Sequence, residues 1–180
     1  VLLSTGPRTF GARQSFGYDY TPSSLLVSRD FDNDGDIDLL DQNVLHINNG
    51  SGVFTSTFHD GPLTYGIGDG DVGYIDDDEF LDLVTTSEYG THYYINNGEG
   101  QFIGAAIDLE NNFDHVALAD LDGDGRSEVI GLYNKIVGSQ PESHIIVLKV
   151  DSELNFTEIK HITPGISFNS GRSIVPWSPF

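Results

Sequence analysis

Ten residues constrain this chain more than any others: Asp30-Phe31-Asp32-Asn33-Asp34-Gly35-Asp36-Ile37-Asp38-Leu39. They put carboxylates at loop positions 1, 3, 5, 7 and 9 and a glycine at position 6. Aspartates this closely spaced repel one another unless a cation sits among them. Alternate side chains on a tightly wound loop converge on one point, and glycine takes the backbone angles of the turn at least steric cost. Hard divalent ions prefer such a shell of oxygens. The stretch therefore reads as a calcium loop, with Asp30, Asp32, Asp34 and Asp38 offering side chains and Asp36 its backbone carbonyl.

The loop recurs. Asp120-Leu121-Asp122-Gly123-Asp124-Gly125-Arg126-Ser127-Glu128-Val129 has acids at positions 1, 3, 5 and 9 and the same glycine. Arg126 is no obstacle if position 7 gives only its carbonyl. A worn copy lies between them, Tyr74-Ile75-Asp76-Asp77-Asp78-Glu79-Phe80-Leu81-Asp82-Leu83. It keeps Asp76, Asp78 and Asp82 but has Tyr74 at position 1 and Glu79 in place of the glycine. The loops begin at residues 30, 74 and 120, a spacing of 44 to 46 residues that marks a repeat architecture. An EF-hand needs an acid at position 12 and helical flanks. Position 12 is Asp41 in the first loop but Gly131 in the third, and both loops have strand-like flanks.

A second repeated element follows each loop. Leu45-His46-Ile47-Asn48-Asn49-Gly50-Ser51-Gly52-Val53-Phe54 matches Tyr93-Tyr94-Ile95-Asn96-Asn97-Gly98-Glu99-Gly100-Gln101-Phe102. Asn-Gly between apolar runs predicts a hairpin, because both residues tolerate positive φ. A looser third copy comprises 145–150, a turn at 151–155, and Phe156. Each unit reads as a strand (25–27, 69–72 or 116–119), an acidic loop, a second strand (37–40 or 81–85 in the first two units) and a hairpin. Four short strands per repeat is what one propeller blade requires, whereas calcium-binding β-helix repeats are far shorter.

The predicted fold is all-β, a β-propeller-type repeat of about three and a half four-stranded blades in one domain. Its units fall at about 13–56, 57–104 and 105–158, with partial blade strands at 1–12 and 165–180. Arg8-Thr9-Phe10 resembles the chain around Phe54 and Phe102, as the closing strand of an earlier blade would. Ser173-Ile174-Val175-Pro176-Trp177-Ser178-Pro179-Phe180 lines up with Ser24 to Phe31, so the chain stops where a fourth loop would begin. Three arrangements fit. The termini share one blade, the chain is a fragment of a larger ring, or unpaired ends join neighbouring copies, two of which would give a ring of about seven blades.

Charge narrows the partners. The formal charge is −20, from 28 acids against 8 bases, and nucleic acid and anionic membranes both need a basic face. The sequence has no cysteine, which excludes disulfides and thiolate metal sites. Modest-affinity loops suit extracellular calcium, so a secreted or cell-surface location is expected. No stretch is long and apolar enough to span a bilayer. Val1 and the lack of methionine lead us to expect a mature or excised piece. Asn49 and Asn155 each open a glycosylation sequon.

Catalytic signatures are missing: there is no nucleophile elbow and no phosphate loop, and no histidine pair has metal-ligand spacing. His46, His59, His92, His115, His144 and His161 are expected to pack or lie at the surface. Tyr65, Tyr89, Tyr93, Tyr94, Tyr133 and Trp177 could stack on sugars, although propellers use many aromatics between blades. Tyr89 and His92, near a strand connection, are the best surface candidates.

These residues resemble the FG-GAP/VCBS repeat family, whose members include the β-propeller of integrin α subunits. The resemblance rests on the loops at 30–39 and 120–125 and on the Asn-Asn-Gly hairpins at 48–50 and 96–98, and it spans roughly residues 24–160. It implies calcium ligands at Asp30, Asp32, Asp34, Asp36 (carbonyl) and Asp38, and at Asp120, Asp122, Asp124, Arg126 (carbonyl) and Glu128. Only Asp76, Asp78 and Asp82 match in the second unit. It also implies an extracellular or surface propeller used for adhesion, for ligand or sugar binding, or as an accessory to an enzyme, and the missing catalytic signatures make an activity of its own unexpected. Its partners would be a protein or glycan ligand, further copies of itself in a filament, or a polysaccharide-active enzyme to which it is an accessory.

Overall fold

The computed structural model describes residues 4–6, 9–10, 26–41, 44–58, 67–99, 101–107, 109–110, 112–137 and 139–163. Every regular element among them is a strand. The first sheet contains β3 (Leu26–Arg29), β4 (Asp38–Asp41), β5 (Val44–Asn48) and β6 (Phe54–Phe58). The second contains β7 (Ile67–Gly73), β8 (Asp82–Ser87), β9 (Gly90–Asn96) and β10 (Phe102–Ala106). The third contains β11 (His115–Ala119), β12 (Glu128–Val137), β13 (Gln140–Val150) and β14 (Phe156–Ile162). In each, four antiparallel strands follow one another as a meander, which is the topology of a propeller blade. The register repeats too: Leu40 faces Leu45, Val84 faces Tyr93, and Ile130 faces Val147.

The strand boundaries differ from the sequence expectation by a residue or two. Pairing of Arg29 with Asp38 carries the ladder to the mouth of the first loop, so β3 extends past residue 27 and β4 starts at Asp38. The position-9 acids Asp38, Asp82 and Glu128 thus open strands and do not belong to the loops. Of residues 1–12, where the sequence suggests a partial blade strand, five are described. Among the described residues of that stretch, β1 (Ser4–Gly6) pairs antiparallel with β2 (Thr9–Phe10). The partial strand expected at 165–180 lies outside the described residues.

The hairpins are wider than a two-residue Asn-Gly turn. Asn49 N–H donates to the Val53 carbonyl at 3.1 Å, Asn97 to Gln101 at 3.1 Å, and Asp151 to Asn155 at 3.1 Å. Gly50, Gly52 and Gly98 take positive φ, but Asn49 and Asn97 do not. Their side-chain oxygens instead accept backbone N–H groups two residues on, from Ser51 and Glu99, and Asp151 does the same for Glu153. The asparagine side chain thus organises the turn.

Two hydrophobic clusters lie between the sheets. Phe31, Leu40 and Leu45 of the first unit pack on Leu83 and Tyr94 of the second. Ile75 and Val84 of the second unit pack with Phe113, Val116, Val129 and Ile146 further along. Position 2 of the first two loops, Phe31 or Ile75, is thereby buried against the next sheet, which sets the loops side by side along one edge.

Candidate metal centres

All three loops gather carboxylates. Asp30, Asp32 and Asp38 present one oxygen each within 4.8 Å of one another, as do Asp76, Asp78 and Asp82, and Asp120, Asp122 and Glu128. Position 5, Asp34 or Asp124, stands outside the groups of the intact loops. Asp36 is outside as well, its carboxylate lying where a side chain on Gly50 would be. Phe80, also at position 7, covers Gly98 in the same way. In the first two loops position 7 therefore turns its side chain toward the hairpin.

The backbone explains the convergence. At position 6, Gly35 and Gly125 adopt φ values of 93° and 94°; at position 4, Asn33 and Gly123 adopt 59° and 80°. Two left-handed residues wind the loop so that the N–H of position 6 donates to the acid at position 1. Gly35 reaches Asp30 at 2.9 Å, and Gly125 reaches Asp120 at 3.0 Å. Positions 3 and 5 each accept the N–H two residues on, as in Asp36 to Asp34 at 2.9 Å and Arg126 to Asp124 at 2.9 Å. The worn loop has no positive φ at Asp77 or Glu79 and no acid at position 1. Its Asp76 and Asp78 still make the i to i+2 bonds, to Asp78 N–H at 3.0 Å and Phe80 N–H at 2.8 Å.

Position 9 anchors each loop. Asp38 accepts the N–H groups of Phe31 and Asn48, both at 2.8 Å, and Asp82 those of Ile75 at 2.7 Å and Asn96 at 3.0 Å. Glu128 accepts the Leu121 N–H at 2.8 Å. All three are buried. Burial drives the Asp82 carboxyl up to about 7, against the lowering effect of its N–H donors, and raises Asp38 in the same way. Asp32 and Asp78 are also raised, by desolvation first. Asp30 Oδ1 is buried without any donor. The first loop thus gathers desolvated carboxylates and a buried oxygen without a donor, a set that fits a hard cation.

The family model for FG-GAP-like repeats matches residues 74–131. That stretch is similar to an FG-GAP-like repeat. It begins at position 1 of the second loop and ends within β12, and so encloses the second and third loops. The first loop precedes it and has the same winding as the third. No significant match links the chain to a curated protein or to a solved structure.

Around the FG-GAP-like repeat lie contacts that motif spacing did not reveal. Lys149 Nζ pairs with Asp122 and with Asp124 at 2.8 Å, directly on the third loop. Arg126 binds Asp77 of the second loop through two nitrogens, Nε at 2.7 Å and Nη2. Asn96 donates to the Phe31 carbonyl at 2.8 Å across the sheets. Asp69 and Asp71 on β7 accept the N–H groups of Val116 and Leu118 on β11. Aligning the three units on their hairpins is the one sequence signal that exposes Lys149, because it falls where the others have Ile47 and Ile95.

The other candidates divide. Tyr94 and Tyr133 are buried, Tyr93 packs on Phe156 with ring centroids 5.1 Å apart, and Tyr89 is 61% exposed. Tyr65, Trp177 and His59 lie outside the described residues. His92 stacks on Tyr94, and His46 bonds Ser56 at 2.7 Å, its burial holding the imidazole below its ordinary value. His115 pairs with Asp69, and His144 with His161 at 3.0 Å. A cleft of roughly 250 Å³ is lined by Phe113, Tyr133, Phe156, Glu110, Glu158 and His161.

Proposed function

We propose that the chain is a calcium-stabilised β-propeller-type module that acts by binding, outside the cell and without catalysis. One observation carries the reading: three sheets hold converging carboxylates at the same edge, and the first loop leaves a buried oxygen of Asp30 without a donor. Bound calcium would supply positive charge to the converging carboxylates, first of all to Asp30, Asp32 and Asp38. These side chains tie their loops to the strands that follow, so ion binding is folding energy. The FG-GAP-like repeat supports a surface or secreted location, and no helix among the described residues is long and apolar enough to cross a membrane. Exposed Tyr89 and the aromatic, acid-rimmed cleft at Tyr133 offer places for a glycan or protein ligand.

Thermal unfolding with calcium and with EDTA tests the reading. Chelation should lower the midpoint by about 5–10 °C, the size of shift that a ligand held well above its Kd gives in a chain of this length. An unchanged midpoint, with no heat on titrating calcium, rules the ion out. A glycan array and cell-surface binding then sort the ligand classes.

A second reading, assembly with further copies through blade completion, is favoured by Leu121. Its counterparts Phe31 and Ile75 are 1% and 0% exposed, whereas Leu121 is 56% exposed. Native mass measurement decides it: a monomer at all concentrations removes the assembly reading.

A further inference from the structure

We propose that Lys149 is the resident counter-cation of the third acidic loop, so that this loop closes on a side-chain ammonium and the first loop is the one that recruits a divalent ion. The inference rests on the calcium reading of the loops but concerns which loop takes the ion.

Register places Lys149 first. Ile47 faces Thr55, Ile95 faces Ile103 and Lys149 faces Thr157, so the three residues occupy the same site just before each hairpin turn. In the first two sheets that site holds an isoleucine packed on the core. In the third it holds an ammonium that touches Asp122, lies 2.8 Å from Asp124 and 3.8 Å from Glu128. Lys149 thus meets positions 3, 5 and 9 together.

The loops differ accordingly in what is left over. In the third, Asp120 accepts from Gly123 at 2.7 Å and from Gly125 at 3.0 Å, one bond on each oxygen. Asp122 and Asp124 each give one oxygen to a backbone N–H and the other to Lys149. Glu128 divides itself between the Leu121 N–H and the lysine. Every carboxylate oxygen of these four acids faces a donor. In the first loop Asp30 Oδ1 faces none. The ammonium therefore brings a positive charge into direct contact with two carboxylates of the loop. An ion entering the third loop must displace that charge or sit beside it, whereas an ion at the first loop meets only negative groups.

Calcium and terbium titrations of the wild type, Lys149→Ile and Asp30→Asn test this. Lys149→Ile restores the residue of the other two repeats; Lys149→Met, which keeps the stem without the charge, replaces it if the isoleucine variant does not fold. The expected result is that removing the lysine adds a site or tightens the weakest one by about tenfold or more, while Asp30→Asn abolishes the tight site. If the wild type binds an ion and Lys149→Ile binds with the same stoichiometry and affinities, the inference is overturned and the calcium reading stands. If only the lysine variant binds, Lys149 is upheld as counter-cation of the third loop, and the assignment of the ion to the first loop is overturned. If none of them binds, both fail.

Discussion

Asp82 is fully buried, yet it accepts hydrogen bonds from Ile75 and Asp76 on one oxygen and from Asn96 on the other. Both oxygens must therefore be acceptors. In Asp82→Asn the amide NH₂ would face backbone N–H donors whichever way it turned. The substitution is expected to cost about 1–3 kcal/mol, the penalty of a buried donor left unpaired, measurable by urea unfolding in EDTA. The same carboxyl gives the ion-free chain a pH dependence. Its value in the fold is about 7, above the 3.8 of an unfolded aspartate, so the folded state holds the extra proton. That contribution is fully present below the unfolded value and is lost as pH rises through about 7. In EDTA the unfolding midpoint should fall between about pH 4 and 7 and level off above, a trend flattened in Asp82→Asn; a midpoint rising over that window through this group contradicts the assignment.

The hairpin after each loop couples loop and sheet into one element. Gly98 has φ 71°, and a Cβ built on it would run into the Phe80 ring that closes the second loop. Gly123 has φ 80°, with open space around the same position. Alanine at Gly123 should therefore cost only the left-handed strain of about 1–2 kcal/mol. At Gly98 the overpacking penalty of about 1–3 kcal/mol is added. Equal costs in chemical denaturation would show that Phe80 gives way freely. Leu154 occupies the same kind of site in the third turn with φ 61°, and its side chain packs on the core. Packing there holds a residue type that the local chain geometry disfavours.

Across the molecule, sheets dock by a rule used twice. Position 2 inserts into the next sheet, as Phe31 and Ile75 do, and the position-4 side chain reaches the next loop. Asn33 donates to the Glu79 carbonyl at 2.7 Å, and Asp77 accepts from Arg126. Gly123 at the third position 4 has no side chain with which to continue. Phe31, edge-on to Phe102 at 6.1 Å, should cost about 3–5 kcal/mol on truncation to alanine. Leu121→Ala should stay within about 0.5 kcal/mol in a monomer. A large loss at Leu121 would show that another surface covers it.

Chain order alone determined the acidic loops, their recurrence, the strand-loop-strand-hairpin unit and the all-β class. Those features depend on residues within a few positions of one another: carboxylates two apart, glycine at a left-handed turn, asparagine bonding its own backbone. Tertiary structure alone decided which acids converge, that Asp34 and Asp124 stand aside, and that a lysine from β13 enters the third loop. It also decided that Asp77 of the worn loop serves as an anchor for Arg126. Such pairings join residues 25 to 49 positions apart, and their partners are set by strand register and by the approach of one sheet to the next.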